Sequence, residues 1–207
     1  DGTPRVAGSA HRVDEEKLEA FEYDNIEQVL GAVPGVTTRG EDGFGLRPNI
    51  GIRAATSERS SKAALMEDGV LIAPAPYSNP SAYYFPTTMR MQSVEVLKGA
   101  SLLRYGPQTT GGVVNLVSTP IPEESAGNVT FAYGENAQAD LLANYGGRVG
   151  NFGYLIETAQ RQGDGYKDID RSGRDTGYDI EDYMVKLGWE GERQSIEFKA
   201  QYSEETS

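Results

Sequence analysis

Residues 94–115 read VEVLKGASLLRYGPQTTGGVVN, and two short apolar segments flank a glycine-containing middle. Both segments, Val94–Leu97 and Val113–Val117, are predicted strands. Outward from this stretch, towards the N-terminus, three more short strands are predicted at Asn49–Arg53, Ala63–Met66 and Val70–Ile72. The sequence Glu67-Asp68-Gly69 separates the last two strands and carries the Asp-Gly signal of a tight hairpin.

Two short helices are predicted before these strands. Asp14 is a candidate cap for a helix through Phe21, and Asp24 with Glu27 forms a capping-box pattern for a second helix. Pro34-Gly35 ends the second helix. Its apolar face follows from helical spacing and consists of Ile26, Val29, Leu30 and Val33. The first half of the chain is therefore predicted to be a small α+β domain, large enough to fold alone.

A domain boundary is predicted at Pro120-Ile121-Pro122, because neither proline can continue the interior of a sheet. We assign residues 1–122 to the first domain and residues 123–207 to the second. Apolar and polar residues alternate along three segments of the second domain, at 128–133, 182–189 and 195–202. These approach the roughly 9–11 residues of a tilted membrane strand. One face would meet lipid, and the other would face water with Lys186, Glu197, Lys199 and Gln201.

The connections between these predicted strands alternate in length. Gly134-Glu135-Asn136 is short, Gly150-Asn151 is a two-residue turn, residues 163–177 form a long polar loop, and Gly191-Glu192-Arg193 is short again. Outer-membrane barrels have short periplasmic turns and longer outer loops. If the first connection lies outside, the long loop lies outside as well, as a barrel requires.

Periodicity alone leaves two architectures open, a membrane barrel and a soluble antiparallel sandwich, because both alternate. Five strands cannot close a barrel, so we expect the native protein to continue beyond Ser207. The chain has no initiator Met, and no stretch of it approaches the roughly 20 apolar residues of a membrane helix.

Composition excludes several classes of protein. The chain has 19 Lys and Arg against 31 Asp and Glu, a net charge of −12 and no basic run, which argues against a nucleic-acid partner. It has no cysteine, which excludes disulfides and thiolate metal sites. The single histidine, His11, has no recognisable serine or cysteine partner, so no enzyme is predicted.

Five ordered motifs between residues 24 and 122 resemble the plug of TonB-dependent receptors of the bacterial outer membrane. They are IEQVL with VPGV (26–30 and 33–36), NIGIR (49–53), MEDGV (66–70), VEVLKGAS with RYG (94–101 and 104–106), and GGVVN (111–115). Within this family the chain looks most like the ferric-citrate-type branch. The motifs for that branch are APY (75–77), RYGPQ (104–108) and IEDY (180–183).

The sequence departs from the family at three places. Ala54 follows Arg53 where glycine is usual, and Lys98 stands where arginine is commoner. Lysine keeps the charge but loses the fork that grips a carboxylate twice. No convincing TonB box precedes Ala10, so coupling to TonB is implied by the resemblance and not seen in the residues.

The resemblance implies an α+β plug with a mixed four-stranded sheet and short helices, followed by the first five strands of an incomplete transmembrane β-barrel. Family barrels have about 22 strands around a plugged lumen. The implied function is TonB-driven import of a ferric siderophore, with ferric citrate or a related carboxylate chelate favoured. No cofactor is implied, and the partners are the siderophore, TonB and outer-membrane lipid. A receptor that mainly reports siderophore occupancy is the alternative, and an N-terminal signalling domain would distinguish it.

The resemblance also implies where the ligand binds. The candidate contacts on apical plug loops are Phe44, Arg53, Arg59, Tyr77, Asn79 and Tyr83. Arg53 matches the ferric-citrate branch, Asn79 is one methylene shorter than the usual glutamine, and Phe44 replaces a polar residue. This last change hints at a bulkier or more apolar siderophore. For Arg53 the alternative is a structural ion pair with Glu67, Asp68 or Glu95. For the tyrosines, and for Phe85 beside them, the alternative is packing against the wall of the barrel.

One further site is predicted, and a calcium site is a weak alternative. Glu95, Lys98 and Arg104 lie where the family forms ionic locks between plug and barrel, which resist opening until force is applied. Asp168, Asp170 and Asp179 follow the spacing of a calcium-binding loop. Against calcium, the loop contains two arginines, has Asp at the twelfth position and lacks flanking helices, so a solvated outer loop is favoured. A soluble calcium-binding adhesion fragment is thus a minor alternative.

Overall fold

A computed structural model describes residues 9–20, 25–40, 46–53, 60, 62–72, 85–99, 111–164 and 177–206. The chain consists of two compact units, Asp1–Thr119 and Pro120–Ser207. In the ranges described, every helix is too short or too polar to cross a bilayer.

The first unit is built on a mixed sheet. Its elements are β1 (Ser9–Val13), α1 (Glu15–Ala20), α2 (Ile26–Gly31), β2 (Val36–Gly40), β3 (Pro48–Ile52), β4 (Ala63–Glu67), β5 (Val70–Leu71), β6 (Met91–Lys98) and β7 (Gly112–Ser118). The main sheet has the order β1-β6-β7-β4-β5, with β4 parallel to β7 and the other pairs antiparallel. Strands β2 and β3 pair separately. The predicted mixed sheet is confirmed, and β1 gives it one strand more than the expected four.

The second helix begins one residue later than predicted. Asn25, with an extended backbone, is the cap of α2, and its side-chain oxygen accepts a hydrogen bond of 2.8 Å from the Glu27 N–H. The prediction of Asp24 as cap was wrong, because the adjacent asparagine satisfies the free N–H groups of the first turn. The predicted apolar residues are all at most 1% exposed: Ile26, Val29, Leu30 and Val33.

One face of the mixed sheet carries the main hydrophobic core of this unit. Side chains from α2, β3, β4, β6 and β7 meet there, and they include Leu30, Ile50, Leu65, Val96 and Val114. Each fully buried aliphatic side chain contributes about 1.5–3 kcal/mol relative to exposure. This core fixes the ends of β3 and β6, from which the candidate site projects.

The GGVVN run contains a glycine that no larger residue can replace without displacement. A Cβ on Gly112 would lie 2.7 Å from Ile52 Cδ1 and 2.7 Å from the Leu97 carbonyl oxygen. We predict that Gly112→Ala destabilises the unit by about 1–3 kcal/mol through overpacking. The measurement is hydrogen exchange of β6 and β7 amides across a urea series.

Gly31 provides the matched control for this substitution. An added Cβ at Gly31 meets nothing within 4 Å. Because alanine favours helix over glycine, Gly31→Ala is expected to be neutral or stabilising by up to about 1 kcal/mol. Equal losses in the two variants would contradict the packing argument.

The second unit is one antiparallel sheet of neighbouring hairpins. Its strands are β8 (Ala126–Tyr133), β9 (Ala139–Val149), β10 (Phe152–Gly163), β11 (Tyr178–Glu190) and β12 (Ser195–Thr206), paired in chain order. The Asp164 N–H bonds to the Asn136 oxygen at 2.8 Å, so the long loop starts beside the first short turn. At the other end the Glu190 N–H bonds to the Asn151 oxygen at 2.8 Å. The predicted alternation of connections between the two ends of the sheet is confirmed.

This sheet exposes a largely apolar face, and its buried face carries charged side chains among apolar ones. Val185 is 38% exposed and Phe198 60%, whereas Asp182 on the other face is fully buried. The other large exposed apolar residues of this sheet are Val129, Phe131, Tyr133, Tyr145, Val149, Phe152, Ile156, Tyr183, Leu187, Trp189, Ile196 and Tyr202. A soluble sandwich would bury this set and expose the charges. The sandwich alternative is therefore contradicted.

Lys186 does not face water as predicted. It is 3% exposed, and its Nζ lies 3.9 Å from Glu197 Oε1. The prediction placed Lys186 on the correct face of the sheet, opposite the apolar residues. It was wrong about exposure, because this part of the polar face is buried and not open to water.

Candidate functional site

Arg53 and Lys98 converge on the corner formed by Pro34-Gly35. Arg53 follows β3 in the left-handed region, with φ of 52°, and its N–H donates to the Gly35 oxygen at 2.9 Å. Lys98 ends β6, and its Nζ donates to the Pro34 oxygen. A non-glycine residue at positive φ costs on the order of 1–3 kcal/mol and often marks a functional position.

The two side chains repel each other electrostatically. Burial lowers the pKa of the Lys98 ammonium, and the positive charge of Arg53 lowers it further. No carboxylate of the described residues forms an ion pair with either cation. An anionic group placed here would offset both the repulsion and the desolvation of Lys98.

The acidic residues considered as structural partners of Arg53 are engaged elsewhere. Glu67 pairs with the buried Arg90 at 3.4 Å. Asp68 accepts hydrogen bonds from the backbone N–H and the hydroxyl of Ser118, at 2.9 and 2.6 Å. Glu95 accepts a hydrogen bond from Asn115 and lies beside Arg12. The structural ion pair suggested for Arg53 is therefore contradicted.

The structure brings some of the predicted site residues together and separates others. Arg53, expected in the ligand set, lies beside Lys98, expected in the lock. Glu95 lies on β6 as well, but its carboxylate bonds within the sheet and not to Lys98. Several predicted residues lie outside the described residues: Phe44, Arg59, Tyr77, Asn79, Tyr83, Arg104, Asp168 and Asp170. Phe85, predicted beside the tyrosines, is buried in the main core.

The remaining calcium candidate, Asp179, lies within β11 and pairs in register with Thr206. A strand residue of this kind is not part of a continuous binding loop. Across the residues that the structure describes, acidic and histidine side chains form no cluster able to hold a metal ion.

Sequence reasoning missed a buried ion pair on the covered face of the second unit. Arg161 Nε lies 3.1 Å from Asp140 Oδ1, and both side chains are at most 5% exposed. The Arg161 guanidinium also stacks over the Tyr178 ring, 5.7 Å from its centroid. The signal was available, because Asp140 and Arg161 have the same strand parity as other covered residues.

Comparison with known proteins decides the family. The model of the TonB-dependent Receptor Plug Domain matches residues 4–113, which is more than half of the chain. The chain belongs to this family. The first unit is thus the plug, and the antiparallel strands after it are those of an incomplete barrel. Proteins of this family are receptors of the bacterial outer membrane and not enzymes.

Two curated relatives are vitamin B12 transporters named BtuB. The chain is 28% identical over 142 residues to that of Photobacterium profundum, covering 69% of this chain and 23% of the relative. It is 23% identical over 176 residues to that of Vibrio vulnificus, covering 84% of this chain and 28% of the relative. The chain therefore spans about a quarter of the length of these relatives.

Solved structures of receptors share the fold of the plug and first strands. The unliganded ferric citrate transporter FecA superposes with a TM-score of 0.77 at 25% identity, covering 97% of this chain and 31% of FecA. The ferric yersiniabactin uptake receptor FyuA from Yersinia pestis gives a TM-score of 0.76 at 20% identity, over 95% of this chain and 31% of FyuA.

Proposed function

We propose that this chain forms the plug and first wall strands of a receptor that imports a ferric siderophore, with TonB supplying the force and the plug gating the barrel. One observation carries the proposal: a plug is followed by a sheet that exposes apolar residues and covers charged ones. Such a wall suits strands in contact with lipid on one side and a polar lumen on the other. The Tyr183–Tyr202 pair at one end of the apolar set and Trp189 at the other suit the two aromatic girdles of a membrane barrel.

Ferric citrate or a related carboxylate chelate is the favoured ligand. The similarity to the ferric citrate transporter supports it, and so does Arg59, a cation among the other predicted apical contacts. Iron complexes of carboxylate chelators are anionic, and cations in a water-poor cleft attract them. Phe44, in place of a polar residue of that branch, favours a bulkier chelate over citrate itself.

Vitamin B12 is the second candidate ligand, because the two curated relatives are B12 transporters.

The test is growth of receptor-null cells that express the intact receptor. Under iron starvation, cells receive ferric citrate, a bulkier carboxylate siderophore, a hydroxamate or a catecholate siderophore. In a separate arm, growth depends on cobalamin. We expect rescue by a carboxylate siderophore and not by cobalamin. Rescue by cobalamin alone would overturn the iron proposal, and induction of a siderophore-dependent reporter without import would favour the signalling alternative.

We also propose that Arg53 joins Lys98 in the plug half of the ionic lock, with Arg104 as a third predicted member. The support is the mutual repulsion of Arg53 and Lys98, which an anionic partner would remove. Carboxylates of the barrel wall are the partners of suitable chemistry. Within this proposal, Arg53 holds the plug in place, and the ligand contacts come from the other apical positions.

A further inference from the structure

A row of polar contacts crosses the plug sheet from one edge to the other. Arg12 of β1 lies 3.8 Å from Glu95 of β6. Glu95 accepts a hydrogen bond of 3.1 Å from the side-chain amide of Asn115 on β7. The amide oxygen of Asn115 in turn accepts from the Gly69 N–H at 2.9 Å, in the turn between β4 and β5. We call these four residues the polar row.

Strand register makes the polar row a straight crossing of the sheet. Arg12 is directly opposite Glu95, and Glu95 is directly opposite Asn115. Asn115 uses both ends of its amide, so the bond to Glu95 fixes the orientation in which its oxygen meets Gly69. The Glu95 side chain is 16% exposed, and a carboxylate this poorly solvated depends on its neighbouring cation and donor.

The turn and the second strand of the β4–β5 hairpin have little packing of their own, whereas β4 itself is buried. Its two turn residues, Asp68 and Gly69, have positive φ of 49° and 79°. Its second strand is only Val70–Leu71, and these side chains are 70% and 43% exposed. Segments with few buried contacts open locally at low cost, so the side-chain bonds from β7 help to hold this turn. They act beside the backbone bond of 2.9 Å from the Asp68 N–H to the Leu116 oxygen.

We propose that the polar row couples the N-terminal strand to this hairpin, so that detaching β1 loosens the β4–β5 turn across the sheet. When β1 leaves, Glu95 loses its cation, and the Asn115 amide loses the fixed partner that orients it towards Gly69. The Asp68–Ser118 bonds remain, so the turn becomes more mobile without unfolding. A role for this coupling in transport rests on the proposed function, in which force reaches the plug through the chain before β1.

The test is residue-resolved hydrogen exchange on the intact receptor in detergent micelles, without ligand or TonB. In Arg12→Gln we expect the Gly69 and Val70 amides to exchange about 3- to 10-fold faster. This is the loss of protection expected when one hydrogen bond is weakened. The β2–β3 amides should be unchanged. Arg39→Gln is the matched control, because Arg39 is an exposed arginine on β2 outside the row.

A second variant separates coupling from general loss of stability. Glu95→Gln keeps an oxygen to accept from Asn115 but has no charge for Arg12 to neutralise. In this background we expect Arg12→Gln to add no further change at Gly69. The coupling would be contradicted if Arg12→Gln increased the exchange rate in β1 alone. It would also be contradicted if the two substitutions had additive effects at Gly69. Because no ligand is used, this result is independent of the growth assays that test the proposed function.

Discussion

Phe198→Arg is expected to destabilise the barrel wall by about 2–4 kcal/mol, the cost of a cation on the lipid face near the bilayer midplane. Phe198 is 60% exposed and pairs across the strands with Leu187, between the Tyr183–Tyr202 pair and the Trp189–Ile196 pair. In a lipid bilayer its surroundings would be hydrocarbon, where the guanidinium loses its hydration. The measurement is the free energy of unfolding in lipid vesicles, together with the amount of folded receptor in the outer membrane.

Gln201→Arg is the control, because Gln201 is exposed on the opposite face of the same strand. A cation there would meet a polar lumen, and we expect less than about 1 kcal/mol. Similar losses for both variants would show that the two faces meet the same medium. That outcome would contradict the assignment of Val185 and Phe198 to lipid.

The strands and turns of the wall were predictable because their signals are local. Alternation with a period of two depends on neighbours in sequence, and so does the turn at Gly150-Asn151. The same holds for the Asp68-Gly69 turn of the plug. Alternation could not show which face is covered, since a sandwich and a barrel wall have the same period. Only the structure therefore shows that the apolar face is the exposed one.

Contacts between distant segments escaped the sequence analysis. Strand β1 reads SAHRV, which has no clean alternation, and its pairing with β6 depends on a partner far along the chain. Arg53 and Lys98 end strands of different sheets and meet only because both bond to Pro34-Gly35. The family resemblance assigned them to separate predicted sites, whereas the fold places them together.

Lys98→Met tests the ionic lock, because the two interpretations of Lys98 predict effects of opposite sign. If Lys98 has no anionic partner, its charge is a cost, since burial and Arg53 both lower its pKa. An apolar side chain of similar length would then stabilise the plug. If a wall carboxylate pairs with Lys98, the variant leaves that carboxylate buried and unpaired, at a cost of about 3–5 kcal/mol.

We expect Lys98→Met to destabilise the plug. Hydrogen exchange should become faster at β6 and at the Pro34-Gly35 corner. Entry of a large antibiotic that the closed plug excludes should increase. Lys98→Arg should retain the wild-type behaviour, because it keeps the charge and adds a fork suited to carboxylates. Lys62→Met removes an exposed lysine of the same unit and serves as the control. A plug that becomes more protected in Lys98→Met would show that this cation is unpaired in the closed receptor, and the lock would then have to be sought at Arg104.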